Sequence, residues 1–179
     1  MGYAIVGYFD KKSDERIKNL WGGMAEIGVD NYLINSNNNP HFKFIMYEDL
    51  DVKNAKILLE QIAEKQNKIP IQFKSYSFYP NNKPFINIDI AVKKEILELQ
   101  KAIRNQCDRY AKPFDVDFFD SGIWKPDCQL TIEFDKQKLS KGIEYLANTQ
   151  LPFNGNISCL GIIEFHPAKQ IVTYELNSK

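Results

Sequence analysis

The sequence predicts an α+β fold built from two similar lobes, and three observations carry that prediction. Short apolar or alternating runs of strand formers are interleaved with amphipathic stretches of helical period. The order of these runs repeats, each half of the chain reading strand, helix, strand, helix, strand, strand. A chain of 179 residues can also bury roughly 70% of its unfolded surface in one domain, so no metal or disulfide is needed to hold it together.

Taken in order, residues 3–9 (YAIVGYF) form an almost wholly apolar run that suits a strand buried on both faces. Ile17, Leu20, Trp21, Met24 and Ile27 follow at helical spacing, with Ser13 or Asp10 as the start cap and Gly28 where the helix ends. The stretch NSNNNP (35–40) is a loop. From His41 the pattern alternates, placing Phe42, Phe44 and Met46 on one face and His41, Lys43 and Ile45 on the other. Val52, Ala55, Leu58, Leu59, Ile62 and Ala63 mark a second helix, and 69–79 is extended. The turn PNNKP (80–84) closes a hairpin with 85–92.

The second half restates the pattern. The apolar strand 85–92 is followed by a helix carrying Ile96, Leu99, Ile103, Cys107 and Tyr110, then by an alternating strand 129–134 (QLTIEF). A helix with Leu139, Ile143, Leu146 and Ala147 comes next, then strands at 157–165 and 171–176 joined by a turn at His166-Pro167. This describes a single bilobal domain over residues 1–179, with one lobe at about 1–84 and the other at about 85–179, each an antiparallel or mixed sheet with two outer helices. A pseudo-twofold relation would set the strand starting at His41 opposite the strand starting at Gln129 across a central groove.

Composition narrows the function. The 23 Lys+Arg balance 23 Asp+Glu, so the basic surplus that long nucleic acids or anionic membranes select is missing. Cys107, Cys128 and Cys159 are far apart and outside any CxxC pair, which fits a reducing cytoplasm. With two histidines in the chain, a His/Cys zinc site would need nearly every candidate ligand to converge, so neither a metal nor another cofactor is expected. The N-terminal run lacks a basic leader and no apolar stretch approaches a membrane span.

The polar faces of the two groove strands supply the candidate site. His41 and Lys43 lie two apart on one strand, Gln129 and Thr131 two apart on the other, and both pairs follow a proline-containing loop, NNNP-H and WKPDC-Q. Asp127 or Cys128 facing the groove instead would give His41 a different partner. The intervening segment 112–127 carries Phe114, Phe118, Phe119 and Trp124 among aspartates; it reads as a lid or stacking platform, or as a loop anchored on the core through Phe118 and Trp124. His166 reads as a surface residue of a turn.

This arrangement resembles the 2H phosphoesterase superfamily, which includes RNA 2′-5′ ligase-like proteins and cyclic nucleotide phosphodiesterases and whose signature is a His-x-Thr/Ser pair on a strand in each of two duplicated lobes. The resemblance implies that His41 is a catalytic base or acid for opening a 2′,3′-cyclic phosphate or a related RNA-end reaction, with Lys43, Gln129 and Thr131 holding phosphate oxygens. The chain departs from the signature in two places: Lys43 stands where the family has Thr or Ser, and Gln129 where it has His. Gln129 can neither accept nor donate a proton near neutral pH, while Lys43 brings a point charge suited to phosphate.

Three readings follow. The first is a 2H phosphoesterase-like protein that binds a nucleotide or RNA-end phosphodiester, with an impaired acid–base pair. The second is a non-catalytic phosphate- or nucleotide-binding regulator on the same scaffold. The third is a duplicated ferredoxin-like interaction module without a phosphate site. The expected partner is a small nucleotide or short RNA end met by a monomer, with no long nucleic acid and no membrane.

Overall fold

The computed structural model describes residues 2–165 and 168–178. Its first strand, β1 (Gly2–Phe9), is buried almost throughout. Helix α1 (Lys11–Glu26) begins at Asp10, whose side chain accepts the Ser13 N–H at 2.9 Å, and the chain leaves it through Gly28 at φ +73°, a conformation that costs glycine little. A one-turn helix, α2 (Tyr32–Asn35), lies in the stretch before the polar loop. Then come β2 (His41–Leu50), α3 (Val52–Ala63), β3 (Ile69–Tyr79) and β4 (Phe85–Ile90). The second half holds α4 (Lys94–Cys107), the short strands β5 (Ala111–Pro113) and β6 (Asp127–Gln129), α5 (Leu139–Ala147), β7 (Phe153–Phe165) and β8 (Lys169–Glu175). The turn expected at His166-Pro167 lies outside the described residues.

All named strands pair antiparallel in one open sheet of order β5-β2-β1-β7-β3-β4-β6, with β8 on β7. The long strand β7 is the hinge of this order. One of its edges pairs β1 along its length, and the other pairs β3 through 153–157 and β8 through 159–164. A strand from the second half of the sequence therefore sits between two strands of the first.

Helices cover one face of the sheet. Ile5 and Phe9 of β1 belong to the main apolar cluster with Ile17, Trp21 and Met24 of α1, Leu59 of α3, Ile96 and Ile103 of α4 and Leu146 of α5. Ala4, Val6 and Tyr8 alternate onto the opposite face, where they form a small cluster with Ile163.

Two sequence expectations are corrected. The strict alternation expected along β2 breaks at a bulge: Lys43 pairs Val6 but Ile45 pairs Ile5. The extra residue turns Ile45 into the core with Phe42 and Phe44 and moves Met46 to the face of His41 and Lys43. The strand expected at 129–134 is instead β6 at Asp127–Gln129. Its ladder ends because Leu130 and Thr131 both donate their N–H to the Ile86 carbonyl, at 2.9 and 3.2 Å.

Candidate active site

Pairing places the site on the face opposite the helices. Tyr8 opposes His41 and Val6 opposes Lys43 across β1 and β2; Asn87 opposes Gln129 and Asp89 opposes Asp127 across β4 and β6. Residues directly opposite share a face, so His41 and Lys43 line one wall, and Asp127, Gln129, Asn87 and Asp89 line the other.

The walls meet. Lys43 Nζ donates to Gln129 Oε1 at 3.1 Å, joining residues 86 apart in sequence. Because an ammonium only donates, this contact fixes the amide orientation and leaves the Gln129 NH2 group as a donor. Two tryptophans hold the strands in place: Trp124 Nε1–H donates to the Lys43 carbonyl at 3.0 Å, and Trp21 Nε1–H to the Gln129 carbonyl at 2.9 Å. The Cys128 thiol lies beside the His41 backbone N–H and donates to the Gln129 carbonyl at 3.8 Å. Cys128 is buried and burial pushes its thiol well above the usual range, so it supports the wall and is no nucleophile.

His41 is set up as a proton acceptor. Its Nδ1 lies 2.7 Å from the Asn39 carbonyl, which can only accept, so Nδ1 carries the hydrogen and Nε2 bears the lone pair. Burial, reinforced by Lys43, pushes the imidazole pKa down to about 4 against the Asn39 carbonyl. The ring is therefore neutral at pH 7. Asn39 is held in turn by Lys18 at 3.0 Å, and Lys18 pairs with Asp14 at 2.9 Å, so α1 braces the loop that orients His41.

The structure places Thr131 differently from the other three expected residues. It is fully buried, and its hydroxyl oxygen accepts the Ile86 N–H at 2.8 Å; it ties the start of β4 to the chain leaving β6. Sequence reasoning left Asp127 outside its site residues, though the period of two puts it on the face of Gln129. Its carboxyl accepts from Asn87 Nδ2 at 2.9 Å and Tyr79 OH at 3.4 Å, both at Oδ2. Burial raises its pKa, while Asn87, Lys125 and Lys43 act against that and Asp89 adds to it.

The segment after β5 is anchored by Phe119 and Trp124, not by Phe118. Gln100 and Arg104 of α4 both donate to the Phe119 carbonyl, at 3.1 and 2.7 Å, and Trp124 stacks on Phe44 with centroids 5.8 Å apart. The 3-10 turn at Asp117–Phe119 sends consecutive rings in different directions, and Phe118 is left 66% exposed. A separate open cleft of about 600 Å³, lined by Asp10, Lys12, Gln72, Lys93 and Asn154 among others, contains none of the expected site residues. Among the described residues no group of three or more His, Cys, Asp or Glu is arranged to hold a metal ion.

Neither a family model nor a curated protein matches this sequence. Solved structures do. A Thermus thermophilus protein aligns over 100% of both chains with a TM-score of 0.66 at 10% identity. Escherichia coli LigT complexed with 3′-AMP aligns over 98% of this chain and 97% of its own, at a TM-score of 0.61 and 10% identity. The fold is that of the 2H phosphoesterases. Usb1 of Kluyveromyces marxianus has it too, with a TM-score of 0.53 and 10% identity over 98% of this chain and 97% of its own. The strands that carry the candidate pairs, β2 and β6, are joined by the contact between Lys43 and Gln129.

Proposed function

We propose that this protein binds a small nucleotide-type phosphodiester, of the 2′,3′-cyclic phosphate or RNA-end kind, on the face opposite the helices, between β2 and β6. The observation that carries the reading is the Lys43–Gln129 contact beside a neutral His41 whose Nε2 lone pair is uncommitted to Asn39. A cation and an amide donor suit phosphate oxygens, and a neutral imidazole suits proton abstraction. LigT, which shares the fold, has been solved with 3′-AMP and with phosphate. His41 is the base, Lys43 and Gln129 are phosphate ligands, and Thr131 supports the wall from beneath. Gln129 favours a second reading, a binder that holds the same ligand without turning it over, because an amide cannot shuttle a proton.

Calorimetric titration of the protein with 3′-AMP and with inorganic phosphate tests the reading. Lys43→Ala should weaken binding tenfold or more, since a hydrogen bond to a charged group contributes about 1.5–3 kcal/mol, and added salt should weaken the native complex. Unchanged affinity in Lys43→Ala would refute the assignment.

A further inference from the structure

We propose that Asp127 is the proton donor that complements His41, so that an imidazole and a carboxyl do here what two imidazoles would otherwise do. The inference rests on the phosphodiester reading above and names the second half of its chemistry.

The register of β6 supplies the first argument. Asp127 and Gln129 stand two apart on the exposed side of the strand while Cys128 turns into the core, so a ligand seated on Lys43 and Gln129 has the carboxyl beside it. The orientation of that carboxyl is the second. Oδ2 takes the hydrogen bonds from Asn87 and Tyr79, whereas Oδ1 has no protein donor among the described residues. Asn87 is 3% exposed and so holds the group rigidly. With Oδ2 occupied by donors, the proton of the neutral acid belongs on Oδ1.

The charges facing Asp127 come from every neighbouring element: Lys43 of β2, Tyr79 of β3, Asp89 of β4 and Lys125 just before β6. Lys125 is itself paired with Asp89 at 2.7 Å. A bound phosphodiester adds a negative charge next to Asp127 and draws on Lys43, and both changes favour the protonated carboxyl. Binding should therefore carry a proton to Asp127, the form needed for donation.

The step balances without a cofactor. His41 Nε2 takes a proton from water as the water oxygen bonds to phosphorus. One ring P–O bond of the cyclic phosphate breaks, and the departing ribose oxygen takes the proton from Asp127 Oδ1. The products are a phosphomonoester, an imidazolium and a carboxylate, and solvent exchange returns the proton from His41 to Asp127.

Hydrolysis of adenosine 2′,3′-cyclic monophosphate and of bis(4-nitrophenyl) phosphate, together with inorganic phosphate binding, tests this on the full chain. The native protein should open the cyclic nucleotide slowly, with a rate that falls as pH rises and Asp127 ionises. Asp127→Asn should lower that rate by about 100-fold or more and remove the alkaline fall. The same variant should bind phosphate as tightly as the native protein or more tightly, since a negative charge has gone. Its rate on bis(4-nitrophenyl) phosphate should change little, because nitrophenolate leaves without a proton.

Proton uptake on binding, read by calorimetry in buffers of different ionisation enthalpy, should vanish in the variant. The inference is overturned if the native protein binds phosphate but does not turn over the cyclic nucleotide. It is equally overturned if Asp127→Asn keeps the native rate, or if the variant loses both rates and phosphate binding together, which marks a structural role. Loss of Lys43-dependent phosphate binding in the native protein would instead refute the phosphodiester reading itself.

Discussion

Gln129 occupies the place on β6 that faces Lys43, and its chemistry sets what the native groove can do. An imidazole there would add a group that titrates near neutral pH. Gln129→His should raise the rate of 2′,3′-cyclic phosphate opening by about 100-fold, the lower end of the roughly 10²–10⁴-fold range of general acid–base catalysis. Introducing His41→Ala into that variant should erase the gain, and kinetics on the double variant check it. His41 also leaves a mark on stability. Its pKa is about 4 in the folded protein against 6.5 for the free side chain, so between those values the unfolded chain binds a proton that the folded chain does not. Stability should fall as pH drops through that window, by at most about 3 kcal/mol. Asp10, whose pKa is lowered in the folded state by its Ser13 and Asn156 hydrogen bonds against burial, adds its own loss only as pH falls below about 4. Urea unfolding of His41→Gln should show a flatter pH dependence between 6.5 and 4.

Among the elements, two irregularities shape the groove. The bulge in β2 lets a strand that starts with His41 and Lys43 on the open face continue with Ile45 and Tyr47 in the core. An unbroken alternation would have exposed Ile45 and buried Met46. The second irregularity ends β6 after Gln129, where Thr131 closes the junction by accepting the Ile86 N–H. Thr131→Val keeps the volume and removes the acceptor, leaving a buried N–H unpaired, so it should cost about 1–3 kcal/mol of stability. Phosphate affinity in that variant separates support from direct contact: a supporting hydroxyl leaves it near the native value, whereas a phosphate ligand would lower it as Lys43→Ala does.

Across the molecule as a whole, the strand order binds the two halves of the sequence together. β7 is hydrogen-bonded to β1 on one side and to β3 and β8 on the other, and one apolar cluster takes residues from α1, α3, α4 and α5. In a fragment of residues 1–84, β1 would keep β2 but lose β7, and β3 would lose both β7 and β4; in one of residues 85–179, β7 would keep only β8. Neither should fold alone, because each would expose unpaired strand edges and half a core. Far-UV circular dichroism of the fragments checks this, and the intact chain should unfold in a single transition. A folded fragment would show that the halves are independent.

The kinds of elements and most of their places were already legible in the chain, because strand and helix periods are local properties of side-chain spacing. The strand at 69–79 and the helix from Val52 to Ala63 could be read in that way, as could the Asp10 cap and the role of Gly28. His41 and Lys43 stood out as polar residues at the start of a strand and Gln129 as the start of an expected strand that in fact ends there, and the structure brings Lys43 and Gln129 into contact. The position of β7 between β1 and β3 emerges only from the folded molecule, since it depends on pairing between residues 80 or more apart in sequence. Tertiary packing also turned Ile45 inward, buried Phe119 in place of Phe118, and gave the Thr131 hydroxyl to Ile86. The same packing made Asp127 a candidate. A carboxylate in a sequence is ordinarily a solvated charge; Asp127 is set apart by burial, by Asn87 and Tyr79 on one oxygen, and by Lys43 across the groove, and those neighbours come from three other strands.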